Sequence, residues 1–250
     1  MLGLPTGIQA CLFDLDGVLT DTAAVHAAAW KEMFDEFLRD YATQHGIAFQ
    51  AFDARAEYDA YVDGKPRANG VRDFLTARGI TLPEGTADDP PSAMTVNGLG
   101  NRKNEAVQRR IRTEGVHVFE GSRRYLQAAE KAGLRRAVVS SSANTREVLD
   151  VTGLAQYVEQ IVDGVTIRTE GLKGKPAPDT FLAAAKGFGL EPSQAAVYED
   201  ALAGVSAGRS GRFGHVIGVD RVGQADELKA HGADVVVRDL AELLSSKVEN

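Results

Sequence analysis

The 250-residue chain carries a single cysteine, Cys11, so no disulfide can form within it. Cys11 sits inside an apolar run and is expected to be a buried, inert thiol. Long hydrophobic runs are missing too: nowhere do about eighteen apolar residues follow one another, the length a membrane-spanning helix needs. The opening MLGLPTGIQA has no charged n-region and no long apolar stretch, so the expected location is cytoplasmic. Basic residues do not dominate. With 28 Lys and Arg against 35 Asp and Glu the formal net charge is -7, which leaves no global field to recruit nucleic acid or an anionic membrane. The arginine pairs at 109/110, 123/124 and 135/136 are too short to alter that balance and read as solvated helix and loop faces. Internal repeats and low-complexity tracts are also lacking. What is present, 44% hydrophobic and 25% charged residues, is ordinary for a soluble globular protein, and the length allows one large domain or a core domain carrying a smaller second one.

Residues 11 to 22, CLFDLDGVLTDT, place Asp14 and Asp16 one residue apart where an apolar run gives way to glycine. If that run is a strand ending at Asp14, alternation puts residues 14 and 16 on the same side. Two like charges so close need a cation, or a proton held on one of the pair.

After residue 115 short β-branched runs alternate with helical patterns. RRAVVSSS (135–142) reads as a strand ending in hydroxyls, and Asn144 and Glu147 stand at capping-box spacing before a helix that stops near Gly153. QIVDG (160–164) is a second short strand. PDTFLAAAKGFG (178–189) has the proline and aspartate start and glycine end of a helix. AAVYED (195–200), a helix to about Gly208, HVIGVD (215–220), a helix ending by Gly232, DVVV (234–237) and a last helix from about Leu240 complete the series. Such alternation predicts an α/β fold with a Rossmann-like parallel sheet.

Residues 22–115 differ. Val25, Ala29, Met33 and Phe37 form one stripe at i+4 spacing, with Trp30, Phe34 and Leu38 beside it. Further helical patterns lie around 53–62 and 101–114, GTADDPPSAM (85–94) reads as a loop, and no convincing strand intervenes. The expected organisation is a core of residues 1–21 and 116–250 with an inserted helical cap domain of residues 22–115.

Ligands of open parallel sheets bind beyond the carboxyl ends of the strands. Those ends offer Asp14 and Asp16, then Ser140 to Ser142, then Glu199 and Asp200. An all-oxygen set of this kind suits Mg²⁺, held by a few carboxylates, waters and substrate phosphate. GLKGKPAPD (171–179) adds Lys175 in a loop before a helix, where lysine meets phosphate as a point charge, while Lys173 reads as a solvated loop residue. Metal, phosphate donors and a spare carboxylate together point to phosphoryl transfer.

The combination of DLDGVLTDT, VVSSSAN, KGKPAPD and VYEDALAGV, in that order at successive strand ends, resembles the haloacid dehalogenase (HAD) superfamily in its helical-cap branch. DTAAVHAAAWK (21–31) and RKNEAV (102–107) are similar to the cap segments of its β-phosphoglucomutase members. The resemblance implies Asp14 as a nucleophile that becomes an aspartyl phosphate and Asp16 as general acid/base. It gives Mg²⁺ to Asp14, the Asp16 carbonyl, Glu199 and Asp200. Ser140 and Lys175 would hold the transferring phosphoryl oxygens, and Ser142 and Asn144 would contact sugar or phosphate. From the cap, His26 would orient Asp16 on closure, and Arg67 and Lys103 would bind the distal phosphate. Gly64 and Arg67 in VDGKPRANGV (62–71) match a sugar-facing segment, and Trp30 lies in the matched cap stretch, although its stripe reads as cap core.

The implied reaction interconverts β-glucose 1-phosphate and glucose 6-phosphate, with glucose 1,6-bisphosphate as intermediate and activator. The alternative is a phosphatase of the same fold acting on a small phosphosugar, and a third reading is a noncatalytic module that binds Mg²⁺ or a partner. Asn144 also reads as a helix cap, GLGNRK (98–103) as a helix-start turn, and His45, His117, His215 and His231 show no ligand spacing. A closed core and acidic surface would suit a monomer.

Overall fold

The computed structural model describes residues 2–63 and 65–245, and the Gly64 assignment lies outside the described residues. Contacts divide the chain into two compact units, residues 1–21 with 116–250, and residues 22–115.

The first unit opens with β1 (Ala10–Phe13), wholly buried. The chain then runs through the second unit, formed by α1 (Ala23–His45), α2 (Arg67–Ala77) and α3 (Val96–Glu114) with a π-helical turn at Tyr58–Val62. It returns through α4 (Glu120–Lys131), β2 (Arg135–Val139), α5 (Thr145–Val151), β3 (Gln160–Val162), α6 (Gly164–Glu170) and α7 (Asp179–Gly187). It ends through β4 (Ala195–Glu199), α8 (Leu202–Ser210), β5 (His215–Val219), α9 (Ala225–Ala230), β6 (Val235–Val237) and α10 (Ala241–Ser245). The strands make one six-stranded sheet, order β3-β2-β1-β4-β5-β6, with every pair parallel. Strands buried on both faces explain the apolar runs ACLF and AAVY, the latter ending at the Glu199 carboxylate. Leu12, Val139, Val162, Val197 and Val216 pack with Phe181 of α7 and Leu228 of α9. β1 is the strand from which the order runs outward both ways, so its carboxyl end lies at the topological switch point.

In the second unit the two stripes of α1 supply Trp30, Met33, Phe34, Phe37 and Leu38 to a core shared with Phe52, Phe74, Leu75 and Leu99. No strand occurs there among the described residues. Phe34 is the centre of an aromatic cluster, 4.0 Å from Phe74 and 5.0 Å from Phe52 between ring centroids.

Several local expectations need correction. Helix α3 starts at Val96, where Thr95 accepts the Gly98 N–H, so GLGNRK lies inside the helix rather than ahead of it. Asn144 occupies the N-cap position of α5 without a capping bond from its side chain. Arg136 is buried: its guanidinium donates to Tyr157 O at 2.8 Å and lies 3.3 Å from Glu159. α2, α4 and α6 lie outside the expected elements; Asp163 caps α6 by accepting from Val165 N and Thr166 N. Cys11 is fully buried beside Tyr198 OH at 3.4 Å, and burial pushes its thiol up to about 12. No described helix is long and apolar enough to cross a membrane.

Candidate active site

The sheet register assembles the first unit's polar centre. Phe13 pairs with Val138 on one side and Tyr198 on the other, which brings Asp14 level with the ends of β2 and β4. Asp14 N donates to Tyr198 O at 2.9 Å, so the strand pairing continues through the aspartate. Asp14 and Glu199 are both buried, whereas Asp16 and Asp200 are half-buried. Asp14, Glu199 and Asp200 each present a carboxylate oxygen within 4.8 Å of the others.

Lys175 is buried between two of them. Its ammonium donates to Asp14 Oδ1, lies 2.5 Å from Glu199 Oε1, and donates to Val139 O at 3.1 Å. Burial alone would pull Lys175 down, but Asp14 and Glu199 reverse that and hold it above its ordinary value. Asp14 is pushed well above the usual carboxylate range, first by burial and then by Glu199 and Asp16, with Lys175 acting against them. The set therefore has more buried negative charge than one ammonium offsets. All-oxygen donors short of positive charge fit a hard divalent cation.

Two glycines make room for these carboxylates. At Gly17, φ is +86° and a Cβ would lie 1.8 Å from Asp200 Oδ2; at Gly204, in the first turn of α8, a Cβ would lie 1.8 Å from Glu199 Oε1. Glu199 Oε2 accepts the Ala201 N–H at 3.1 Å, which folds the carboxylate back over the start of α8. The turn after Asp16 closes through Gly17 N to Thr20 O at 2.8 Å. On the neighbouring strand end Ser140 Oγ accepts from Ser142 N at 3.1 Å, and Ser142 Oγ from Asn144 N at 3.2 Å. Lys173 is exposed, as a solvated loop residue should be.

Within the helical unit, a second constellation forms. Lys103 of α3 is buried, and its Nζ lies 2.6 Å from His26 Nδ1 of α1. An ammonium can only donate, so Nδ1 accepts and the imidazole carries its proton on Nε2. Lys103 Nζ also sits 4.9 Å from the Trp30 ring centroid. Trp30 itself is buried and stacked on Phe34 at 5.2 Å, which places it in the core rather than at an open binding face. Arg67 opens α2 against Gly100 of α3, so His26, Lys103 and Arg67 gather along one stretch of that helix.

A doubly flanked parallel sheet with a carboxylate group and a buried lysine at its switch point defines an α/β enzyme of the metal-assisted phosphoryl-transfer type. Residues 8–212 match the family model for haloacid dehalogenase-like hydrolases, and the chain belongs to that family. The chain is 59% identical over 247 residues to proteins named β-phosphoglucomutase from Mycobacterium tuberculosis (strain CDC 1551 / Oshkosh) and Mycobacterium bovis, covering 98% of this chain and 94% of theirs. The β-phosphoglucomutase of Bacillus subtilis (strain 168) is 31% identical over 237 residues, covering 94% of this chain and 92% of that one. Among solved structures, β-phosphoglucomutase from Clostridium difficile superimposes with a TM-score of 0.74 at 26% identity, covering 94% of this chain and 93% of that one. The family and these relatives imply a divalent metal, for which Asp14, Glu199 and Asp200 are the fitting group.

Proposed function

We infer that the chain is a phosphosugar mutase that interconverts β-glucose 1-phosphate and glucose 6-phosphate through an aspartyl phosphate on Asp14 and glucose 1,6-bisphosphate, which also serves as activator. The observation that carries this reading is the Asp14 centre, with its buried lysine and carboxylate group, in a chain that is 59% identical to named mutases through both of its units.

In the reaction, an Asp14 oxygen attacks phosphorus while the bond to the leaving sugar oxygen breaks. Asp16 gives that oxygen a proton, then takes one from the sugar hydroxyl that attacks the aspartyl phosphate in return. Two neighbouring carboxylates thus take opposite protonation states. Lys175 and Ser140 neutralise the equatorial phosphoryl oxygens, a kind of donor whose removal typically costs about 10² to 10³ in rate. Asp14, Glu199, Asp200 and the Asp16 carbonyl would hold Mg²⁺, which when bound would keep Asp14 ionised and screen the phosphoryl charge. In the helical unit Lys103, held by His26, and Arg67 bind the phosphate that is not being transferred, and Ser142 and Asn144 contact sugar or phosphate.

The family's hydrolase chemistry supports a second reading, in which water resolves the aspartyl phosphate. One reaction separates the two: purified protein, Mg²⁺, β-glucose 1-phosphate and a trace of glucose 1,6-bisphosphate, with glucose 6-phosphate and free phosphate followed together. Glucose 6-phosphate without free phosphate is the expected result. Free phosphate alone makes the chain a phosphatase.

A further inference from the structure

The loop between β5 and α9 takes no part in the reaction just described, yet two of its side chains end on the backbone of segments that do. Arg221, with 18% of its side chain exposed, donates Nε to Gly17 O at 2.7 Å and NH2 to Val18 O at 3.4 Å, the first carbonyls after residue 16. Its remaining arm donates to Arg238 O at 2.7 Å, beyond β6, and its guanidinium lies 3.6 Å from the Phe119 ring centroid. Gln224 donates Nε2 to Asp200 O at 3.0 Å. The loop is itself pinned: Asp220 Oδ1 accepts from Gly223 N at 2.7 Å and Gln224 N at 2.8 Å, and Asp220 N donates to Val237 O at 2.8 Å. The gripped segments touch where Gly17 passes the Asp200 carboxylate.

We propose that the β5–α9 loop is a two-pronged positioning element, in which Arg221 sets the turn that aims Asp16 and Gln224 sets the backbone that aims Asp200. The proposal rests on the roles given above to Asp16 as acid/base and Asp200 as metal ligand. A planar fork of five donors can hold three carbonyls and a ring face at once, which a lysine cannot reproduce. Misplacing a reacting group by about 1 Å can cost on the order of 10² in rate.

The variants Arg221→Lys and Gln224→Leu test this with phenyl phosphate and p-nitrophenyl phosphate across a Mg²⁺ titration, with thermal melts alongside. Nitrophenolate leaves without a proton and phenolate needs one, so the ratio of the two esters reads Asp16 without any sugar. Arg221→Lys is expected to lower phenyl phosphate turnover about 10²-fold and p-nitrophenyl phosphate turnover by no more than about threefold. Gln224→Leu is expected to raise the half-saturating Mg²⁺ about tenfold, both for ester turnover and for the Mg²⁺-dependent rise in melting temperature, with the ester ratio unchanged. Phe119→Leu, which loosens the guanidinium without removing it, moves the ester ratio the same way and decides the matter if Arg221→Lys does not fold. Equal losses on both esters at an unchanged Mg²⁺ requirement, or a wild-type profile in the folded variants, overturn the proposal. Failure of the mutase reading shows separately, as a wild-type protein that makes no glucose 6-phosphate while the ester ratio still reports on Asp16.

Discussion

Replacing Lys175 by methionine removes the one ammonium that sits between Asp14 and Glu199 and leaves two buried carboxylates facing each other. Breaking a buried pair by deleting one partner costs about 3–5 kcal/mol. For a chain of this size about 1 kcal/mol shifts the melting temperature by roughly 2–4 °C, so Lys175→Met is expected to melt about 6–20 °C below wild type in EDTA at neutral pH. The pH dependence has a definite sign. Asp14 is already held above its ordinary value, chiefly by burial, and losing Lys175 raises it further. A group raised on folding contributes stability that is present below its unfolded value, about 4 for aspartate, and lost as pH rises through the folded value. The gap between variant and wild type is therefore smallest toward pH 4 and grows toward neutrality. Lys175, also raised, keeps its own contribution through neutral pH and loses it only in strong alkali. Added Mg²⁺ narrows the gap by supplying charge to the same carboxylates. Thermal unfolding followed by circular dichroism, with EDTA or Mg²⁺ at several pH values, reads all of this. A variant within about 2 °C of wild type at neutral pH, or a gap that widens on acidification, refutes the reasoning.

Gly17→Ala places a Cβ 1.8 Å from Asp200 Oδ2 on a backbone with φ +86°, so the half-saturating Mg²⁺ for ester turnover should rise about tenfold or more; an unchanged titration contradicts the packing. Lys103→Ala should depress mutase turnover on the order of 10²-fold while sparing attack on p-nitrophenyl phosphate, and an equal loss on both would falsify the distal-phosphate role. Cys11, buried and pushed up to about 12, should resist thiol reagents until the protein unfolds. Rapid labelling of the native protein at neutral pH would show that the thiol is accessible.

The strands were legible because a sheet buried on both faces writes itself as short β-branched runs, and the polar residues at their ends stand out against those runs. Asp14, Ser140, Glu199 and Asp200 are of this kind, each at or just beyond a strand end. Other elements were hidden by local chemistry. α6 carries Val165, Thr166 and Ile167, residues that favour strands, and owes its start to the Asp163 cap. α2 shows Val71, Phe74 and Leu75 at helical spacing with Gly79 after it, but Gly70 within it weakens the pattern. Arg136 could not be told from its exposed neighbour Arg135, because its burial depends on Tyr157 and Glu159, twenty-one and twenty-three residues away. Arg221 and Gln224 gave no signal, since their partners are backbone carbonyls distant in sequence. The pairing of His26 with Lys103 likewise needs the packing of α1 on α3.

The central claim is that Asp14 carries the phosphoryl group. Incubating the protein with Mg²⁺ and glucose 1,6-bisphosphate, quenching in acid and mapping the modified peptide by mass spectrometry tests it directly. The account predicts one phosphoryl group on the peptide spanning Cys11–Thr22, assigned to Asp14, labile to hydroxylamine and absent from Asp14→Asn. A phosphoryl group on another residue, or one that persists in Asp14→Asn, contradicts it.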